Sequence, residues 1–490
     1  MDMAISLPMI IQGGMGIGIS STRLANAVAR CGQLGVVSGT ALDNAMVRRL
    51  QDGDLGGHVR RALEHFPMPS VAESVLRQYF LPEGRAEGQP YKAIPMYRQI
   101  MSKARQQVTI LASFVEVWLA KEGHDGVVGI NLLTKVQMPN LATLYGAMLA
   151  GVDYVLMGAG IPKEIPGALD AFAKHEPARL KFDVEGMSRD DETEYLELDP
   201  REYWDAVPAP LKRPSFLAIV STDSLATMLA RKSNGKVDGF IIEGPTAGGH
   251  NAPPRGQLQL NERGEPIYGD RDTANLDKMK ELGLPFWLAG GTGAPEKLAE
   301  ALAAGAAGIQ VGTLFAYCQE SGMDPAIRME VVNRSRQAPV DVYTDPKASP
   351  TGFPFKVVDV EGSLADEALY QDRERVCDLG YLRTAYKRED GRIDYRCPAE
   401  PIDTYVKKGG TTEDAQGRKC LCNALMADIG LGQLRKDGRT ERPLITSGDE
   451  LRSLHRMLDG RADYTAADVV KWLMAGVRSM AGTRSMAGAH

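Results

Sequence analysis

The chain has 490 residues, of which 43% are hydrophobic and 24% are charged, a balance typical of a soluble globular protein. Its 57 basic and 63 acidic residues give a formal net charge of −6, which argues against a nucleic-acid-binding surface. No apolar run reaches the ~18 residues of a membrane span. The N-terminal "MDMAISLPMII" has neither a basic leader nor a long apolar core. We therefore expect a cytoplasmic protein with no signal peptide and no nucleic-acid or membrane partner.

Eight short apolar runs, most of which end in glycine, alternate with helix-like segments. Most runs are continuous rather than alternating, which favours strands covered on both faces. The predicted strands lie within residues 8–18, 34–40, 126–134, 152–160, 215–222, 238–244, 285–293 and 307–315. Strand followed by helix, repeated eight times, predicts an α/β fold with a (β/α)₈ TIM barrel. A doubly wound open sheet is the alternative, but "GGMGIGIS" does not fit the spacing of a dinucleotide fingerprint.

The chain divides into a barrel and a smaller C-terminal region. We predict the barrel in residues 1–340, with insertions at about 53–125 and 180–212. The first insertion is rich in aromatic residues and proline and is expected to wrap over one barrel face, whereas the second is typical of an acidic hairpin. Residues 341–475 form the cysteine-bearing C-terminal region, and the repetitive tail at 476–490 is expected to be disordered.

Glycines cluster after the predicted strands, at the end of the barrel where active sites lie. A glycine allows the backbone to approach a ligand closely and to adopt a positive φ. The clusters are Gly13, Gly14 and Gly16 after the first strand, Gly248 and Gly249 after the sixth, Gly290, Gly291 and Gly293 after the seventh, and Gly312 after the eighth. Because the last two loops are the usual phosphate site of such barrels, the backbone N–H groups there, with the hydroxyls of Thr292 and Thr313, predict a phosphate cradle.

A histidine follows the glycine pair of the sixth loop, in "IIEGPTAGGHNAPPRG" at 241–256. Gly248 and Gly249 would let the backbone pass close under a flat or phosphorylated cofactor and present His250 over it. An imidazole titrates near neutral pH, so it can take a proton from a carbon acid or hold a substrate anion. A purely structural loop histidine is the alternative, and the position opposite a phosphate cradle favours the catalytic interpretation.

Five motifs spread over residues 8–320 occur in the same order as in a known family. They are "PMIIQGGMG", "GINLL", "EGPTAGGH", "LAGGTG" and "QVGTLF". In these motifs the chain resembles the nitronate monooxygenase family, formerly called 2-nitropropane dioxygenases. FMN-dependent enoyl-ACP reductases and the trans-acting enoyl reductases of polyketide and polyunsaturated fatty acid synthases share the pattern.

The resemblance implies a non-covalently bound FMN and assigns residues to it. It implies that Gly13, Gly14 and Met15 lie along the isoalloxazine and that Asn131 binds its polar edge. It also implies that the ribityl phosphate is surrounded by Gly249, Gly290, Gly291, Gly312 and Thr313. His250 matches the catalytic histidine of the family.

Three functions follow as hypotheses. The first is oxidation of nitronates or nitroalkanes with O₂, in which His250 is the base for a neutral nitroalkane. The second is reduction of a carrier-bound enoyl thioester with NAD(P)H, and the third is a non-catalytic partner protein. The retained histidine and glycine loops argue against the third. Lys135 is either a ligand for an anionic substrate or a solvated lysine, and we further expect a homodimer.

Four of the six cysteines are concentrated in the C-terminal region, at Cys377, Cys397, Cys420 and Cys422. Four thiolates suit a tetrahedral Zn²⁺ ion or an iron–sulfur cluster. The usual pairs separated by two residues are missing, so reduced and packed cysteines are the alternative. We predict a metal site at these four cysteines.

Overall fold

The computed structural model describes residues 7–487. In chain order its strands are β1 (Ile10–Gln12), β2 (Gly35–Ser38), β3 (Val128–Leu133), β4 (Tyr154–Gly158), β5 (Ala178–Lys181), β6 (Val184–Glu185), β7 (Tyr195–Leu198), β8 (Ser215–Val220), β9 (Gly239–Glu243), β10 (Phe286–Ala289), β11 (Gly308–Val311), β12 (Tyr343–Asp345), β13 (Phe355–Val357), β14 (Thr384–Lys387) and β15 (Ile393–Arg396).

The α-helices are α1 (Thr22–Arg30), α2 (Leu42–Gln51), α3 (His58–Leu63), α4 (Pro69–Tyr79), α5 (Lys103–Lys121), α6 (Asn140–Leu149), α7 (Ile165–Phe172), α8 (Asp223–Lys232), α9 (Leu276–Glu281), α10 (Pro295–Ala303), α11 (Thr313–Ala316), α12 (Pro325–Gln337), α13 (Glu367–Asp372), α14 (Ile402–Lys407), α15 (Thr412–Ala415), α16 (Leu421–Ala427), α17 (Leu454–Leu458) and α18 (Ala466–Ala487). Short 3₁₀ turns lie at Pro200–Tyr203, Asp270–Asp272 and Asp449–Ser453. Within residues 7–487, no helix combines the length and the apolar character that a bilayer crossing requires.

Eight of the strands form one parallel sheet in the order β1-β11-β10-β9-β8-β4-β3-β2. The two ends of this sheet meet, because the Leu34 backbone N–H donates to the Ile10 carbonyl at 3.1 Å and its carbonyl accepts from the Gln12 N–H at 3.0 Å. These bonds close the sheet into a barrel. The predicted (β/α)₈ TIM barrel is therefore confirmed.

The buried side chains of the barrel strands fall into two separate clusters, as the alternation of side chains along a strand requires. One fills the barrel interior and is formed by residues of the strands and their ends, including Leu156, Ile241 and Trp287. The other, which includes Phe240 and Phe286, packs against the surrounding helices. With both faces covered, these strands have continuous apolar sequences.

The first insertion does more than wrap the barrel, because it contributes a helix to the outer layer. The 19-residue α5 is buried over most of its circumference and packs against α1, α2 and α6. In the second insertion β5 pairs antiparallel with β7, in the segment where the sequence predicts an acidic hairpin. Between them β6 pairs with β14 of the C-terminal region.

The C-terminal region, residues 341–475, lies over the carboxyl ends of the barrel strands. Its hairpin of β12 and β13 is joined to the sixth loop, where Asn251 N–H donates to the Pro354 carbonyl at 2.9 Å and Lys356 N–H to the Gly249 carbonyl at 3.0 Å. At its end α18 runs to Ala487, so residues 476–487 of the tail expected to be disordered are helical, and residues 488–490 lie outside the described part. The tail is rich in alanine, methionine and arginine, which are strong helix formers.

Candidate active site

Two adjoining cavities open at the carboxyl ends of the barrel strands. The first, which we call the glycine-lined cavity, has a volume of about 110 Å³ and is lined by Gly13, Gly14, Met15, Gly248, Gly249, Gly290, Gly291, Gly312 and Thr313. The second, the histidine-lined cavity, has a volume of about 390 Å³ and contains Asn131 and His250 in its wall. Gly14, Gly248 and Gly249 border both. All residues that the sequence assigned to the cofactor or to catalysis therefore come together.

At two of these positions the backbone leaves no room for a side chain. A Cβ on Gly14 would lie 2.1 Å from the Asn131 Cβ, well inside contact distance. Gly290 has a φ of +84°, and a Cβ there would lie 2.9 Å from the Gly244 carbonyl oxygen. Both glycines thus keep main chain, rather than side chains, at the wall of the cavity.

One buried polar atom in the wall lacks a partner. Gln310, on β11, borders both cavities, and among residues 7–487 its Oε1 accepts no hydrogen bond. An unpaired buried amide oxygen costs ~1–3 kcal/mol, so a ligand with a donor group is expected opposite it. No lysine or arginine is among the residues that line the glycine-lined cavity. An anion there would be held by backbone N–H groups and hydroxyls.

Fewer groups are free to bind a phosphate than the sequence indicated, because some of them already form hydrogen bonds within the protein. The Thr292 hydroxyl donates to the Gln310 carbonyl at 2.8 Å, and the Gly293 N–H donates to the Glu450 carboxylate at 2.5 Å. Thr313 Oγ1 accepts the Gly448 N–H at 3.0 Å, which leaves its own proton available. The N–H of Gly249, which the resemblance also assigned to the phosphate, donates to Thr446 Oγ1 at 3.0 Å. Gly290, Gly291, Gly312 and Thr313 remain as the candidate anion site.

His250 is held in place by the C-terminal region. Its backbone forms a bridge with Phe355, and the Phe355 ring packs edge-on against the imidazole at 5.0 Å. The ring nitrogen Nε2 lies 2.6 Å from Ser349 Oγ. Burial, with a smaller effect of the nearby Lys135 ammonium, lowers the pKa of His250 to about 3. The imidazole is therefore neutral at physiological pH and can act as a base or hydrogen-bond donor.

Lys135 is half-buried rather than solvated, and it is absent from the wall of the histidine-lined cavity. Its Nζ lies against the Phe353 ring and donates to Thr351 Oγ1 at 3.1 Å. Burial lowers the pKa of Lys135 to about 7. Its ammonium is close enough to lower the pKa of His250 but does not line the cavity.

Two carboxyl groups near the cavities carry raised pKa values. Glu243, at the end of β9, borders both cavities, and burial raises its pKa to about 7. Burial likewise raises the pKa of Glu450 to about 7. Ser349, Thr351 and Glu450 were not identified from the sequence, because they come from the C-terminal region and belong to no motif.

The four cysteines of the C-terminal region line one small pocket but form no metal site. Within residues 7–487, no group of three or more histidine, cysteine, aspartate or glutamate side chains has an arrangement that could hold a metal ion. Cys377, Cys397, Cys420 and Cys422 are free thiols. Burial raises the pKa of Cys377 to about 12 and raises that of Cys397 and Cys422, which keeps these thiols protonated. The structure thus does not support the predicted zinc or iron–sulfur site and matches packed, reduced cysteines.

The solved structures that are similar to the chain include the following three. FabK from Thermotoga maritima is 15% identical, with 98% of this chain and 95% of that chain covered and a TM-score of 0.47. Nitroalkane oxidase from Streptomyces ansochromogenes is 16% identical, with 97% of each chain covered and a TM-score of 0.45. The enoyl reductase domain of MlnA from the macrolactin cluster of Bacillus amyloliquefaciens is 13% identical, with 98% and 96% covered and a TM-score of 0.47. Scores below 0.5 are too low to support an assignment.

A family comparison is more informative. The sequence profile described as nitronate monooxygenase matches residues 205–342, which include β8 to β11, the loop of His250 and both loops of the candidate anion site. No curated protein matches the chain. Over these residues the profile match confirms the resemblance to nitronate monooxygenases that the motifs indicated.

Proposed function

We propose that the protein oxidises nitronates and nitroalkanes with O₂ to a carbonyl compound and nitrite. The observation that carries this proposal is a neutral imidazole, His250, in the wall of a cavity that adjoins a glycine-lined one. The nitronate monooxygenase match over residues 205–342 supports the same chemistry.

The residues of the two adjoining cavities fit an FMN. Gly290, Gly291, Gly312 and Thr313 would hold its phosphate, and Gly13, Gly14, Met15 and Asn131 would border its ring system. The unpaired Oε1 of Gln310 would accept a hydrogen bond from the flavin. When bound, FMN supplies electron transfer from the substrate and reactivity toward O₂.

His250 would act on the substrate carbon. A neutral nitroalkane must lose its α-proton before oxidation, and a neutral imidazole has a lone pair to accept it. A preformed nitronate needs no base. The positive charge of Lys135 behind Phe353 makes the cavity favourable for the nitronate anion, and a protonated Glu243 can donate a hydrogen bond to it.

The test compares the two substrate forms in one variant. With His250→Asn we expect the flavin to stay bound and turnover of a neutral nitroalkane to fall by ~10²–10⁴, the usual contribution of a general base, with a much smaller loss for the nitronate. O₂ uptake and nitrite release measure both. His455→Asn, at an exposed site on α17, is the matched control. Equal losses for both substrates would contradict the assigned role of His250.

One observation favours a second candidate, an FMN-dependent enoyl reductase that uses NAD(P)H. Leu133, Ile161, Ile219 and Leu225 give the histidine-lined cavity an apolar wall suited to an acyl chain. Anaerobic oxidation of NADPH by a crotonyl thioester, without O₂ uptake from nitronates, would favour this function. A protein that takes up no added FMN would instead favour the non-catalytic scaffold.

A further inference from the structure

Four side chains form a continuous hydrogen-bonded chain behind the histidine-lined cavity. His250 Nε2 lies 2.6 Å from Ser349 Oγ, and Ser349 Oγ lies 2.8 Å from Thr351 Oγ1. Thr351 Oγ1 accepts from Lys135 Nζ at 3.1 Å. We call this hydrogen-bonded chain the relay. Its end residues, His250 and Lys135, lie in barrel loops, and its two hydroxyls come from the C-terminal region.

The relay is shielded and fixed. Ser349 is fully buried, and its backbone carbonyl accepts from the Arg418 guanidinium at 2.7 Å. Among residues 7–487, Lys135 forms no ion pair with a carboxylate. The relay contains two titratable groups, His250 and Lys135. The Arg418 guanidinium contacts it from the C-terminal region, and Glu243 borders the same cavity as His250.

A hydroxyl that lies between two partners donates to one and accepts from the other, so the relay has two directions. When Lys135 is charged, it donates to Thr351, Thr351 to Ser349, and Ser349 to His250 Nε2, so the ring proton sits on Nδ1. When Lys135 is neutral, its lone pair accepts from Thr351, Thr351 accepts from Ser349, and Ser349 accepts from Nε2–H. Nδ1 then has a free lone pair.

We propose that Lys135 is a positioning residue that selects the tautomer of His250 through Thr351 and Ser349, and that it receives the proton which His250 removes from the substrate. The second half rests on the proposed function. In that step the substrate C–H bond breaks and a bond forms from the proton to Nδ1. The Nε2 proton moves to Ser349, the Ser349 proton to Thr351 and the Thr351 proton to the Lys135 amine. The products are a neutral His250 and an ammonium on Lys135, so charge and protons balance.

The acidities of the end groups fit this direction of transfer. The pKa of His250 is lowered to about 3, and that of Lys135 to about 7, so a proton near neutral pH is more stable on the lysine than on the histidine. The relay thus lets a weakly basic imidazole remove a proton without remaining charged.

The first test observes the tautomer directly. The flavin-loaded protein is labelled with ¹⁵N-histidine, and the signal of His250, one of seven histidines, is assigned from its loss in His250→Asn. Because the pKa of Lys135 is about 7, this lysine is mostly charged below about pH 6 and mostly neutral above about pH 8. We therefore expect the ring proton of His250 to be on Nδ1 at the lower pH and on Nε2 at the higher pH. Lys135→Met should abolish this pH response, and exposed Lys181→Met should leave it unchanged. A tautomer that does not respond to pH in the unaltered protein, or that responds equally in Lys135→Met, would overturn the proposal.

The second test uses conservative changes within the relay. Thr351→Val removes the hydroxyl with little change of shape and should lower kcat for a neutral nitroalkane at least tenfold, with nitronate turnover little changed. Thr351→Ser should restore it. No rescue by serine would overturn the proton transfer. If the protein oxidised no nitronate at all, the proposed function would fail. The NMR signal of His250 would still show whether Lys135 selects the tautomer of His250.

Discussion

Burial, more than ion pairing, sets the charges at the mouth of the barrel. It lowers the pKa of His250 and raises those of Glu243 and Glu450 to about 7. A carboxylic acid that stays protonated near pH 7 can donate a hydrogen bond where a carboxylate would repel an anion. An anionic cofactor or substrate therefore meets little fixed negative charge at this end of the barrel.

The raised pKa of Glu450 has a defined effect on stability. Because the folded state holds the proton more tightly than the unfolded chain, this group's contribution is present below pH 4.5 and is lost as the pH rises through 7. We expect the free energy of unfolding of the protein to fall, relative to that of Glu450→Gln, by at most ~3 kcal/mol over this interval, and then to level off. Urea titrations at several pH values measure the difference. The exposed Glu413→Gln is the control, and parallel curves for the protein and Glu450→Gln would contradict the expectation.

At the level of elements, the barrel was predictable because the strands are short and apolar and most of them are followed by glycine. The run at 126–134, for example, contains β3, and the run at 238–244 contains β9. Helix α5 was not recognised, because burial around most of its circumference removes the amphipathic stripe by which a surface helix is identified.

Apart from Asn131 on β3, the site residues that could be predicted are those that follow strands. Gly290, Gly312 and His250 occupy loops whose position is fixed by the barrel itself. Ser349 and Glu450 reach the same place through long-range contacts of irregular segments, such as the bond between Gly448 N–H and Thr313. Neither residue type nor spacing in those segments marks them as part of a site.

The loop after β10 offers a test of its backbone geometry. Gly290→Ala should both strain a left-handed residue, at ~1–2 kcal/mol, and press a Cβ against the Gly244 carbonyl. Gly283 has a similar φ of +66°, and a Cβ there would have no heavy atom within 4 Å. Gly283→Ala therefore measures the cost of the left-handed conformation alone. We expect both variants to lose a similar part of their stability from strain, and only Gly290→Ala to lose flavin affinity, measured by fluorescence titration. Equal flavin affinity in the two variants would argue against a cofactor at this loop.

On the scale of the whole molecule, the C-terminal region is bonded to the barrel through buried polar groups. Asp43, on α2, accepts from Arg105 of α5 at 2.8 Å and from the hydroxyl of Tyr381. Tyr381 itself is buried. This network joins two barrel helices to the region that supplies Ser349. The expected homodimer stays a prediction.

Tyr381→Phe tests this attachment. It removes the hydrogen bond to the buried Asp43 carboxylate and the one accepted from Asn44 Nδ2 at 2.6 Å, and it leaves Asp43 paired with Arg105. We therefore expect a loss of at least ~2 kcal/mol in the free energy of unfolding. The C-terminal region should also be cleaved sooner in limited proteolysis. Tyr386→Phe is the control, because the Tyr386 hydroxyl lies 3.4 Å from Asp394 Oδ2 in a half-buried position. A similar loss in both variants would show that the network contributes nothing specific.

The distance along the chain between His250 and Glu450 has a consequence for biosynthesis. All eight barrel strands have been translated once residue 311 is made, so the barrel can close while synthesis continues. Ser349 and the segment around Glu450 emerge from the ribosome only later. A barrel formed at that stage would lack the segments of Ser349 and Glu450, so the proposed flavin would meet its final surroundings only after both have been made.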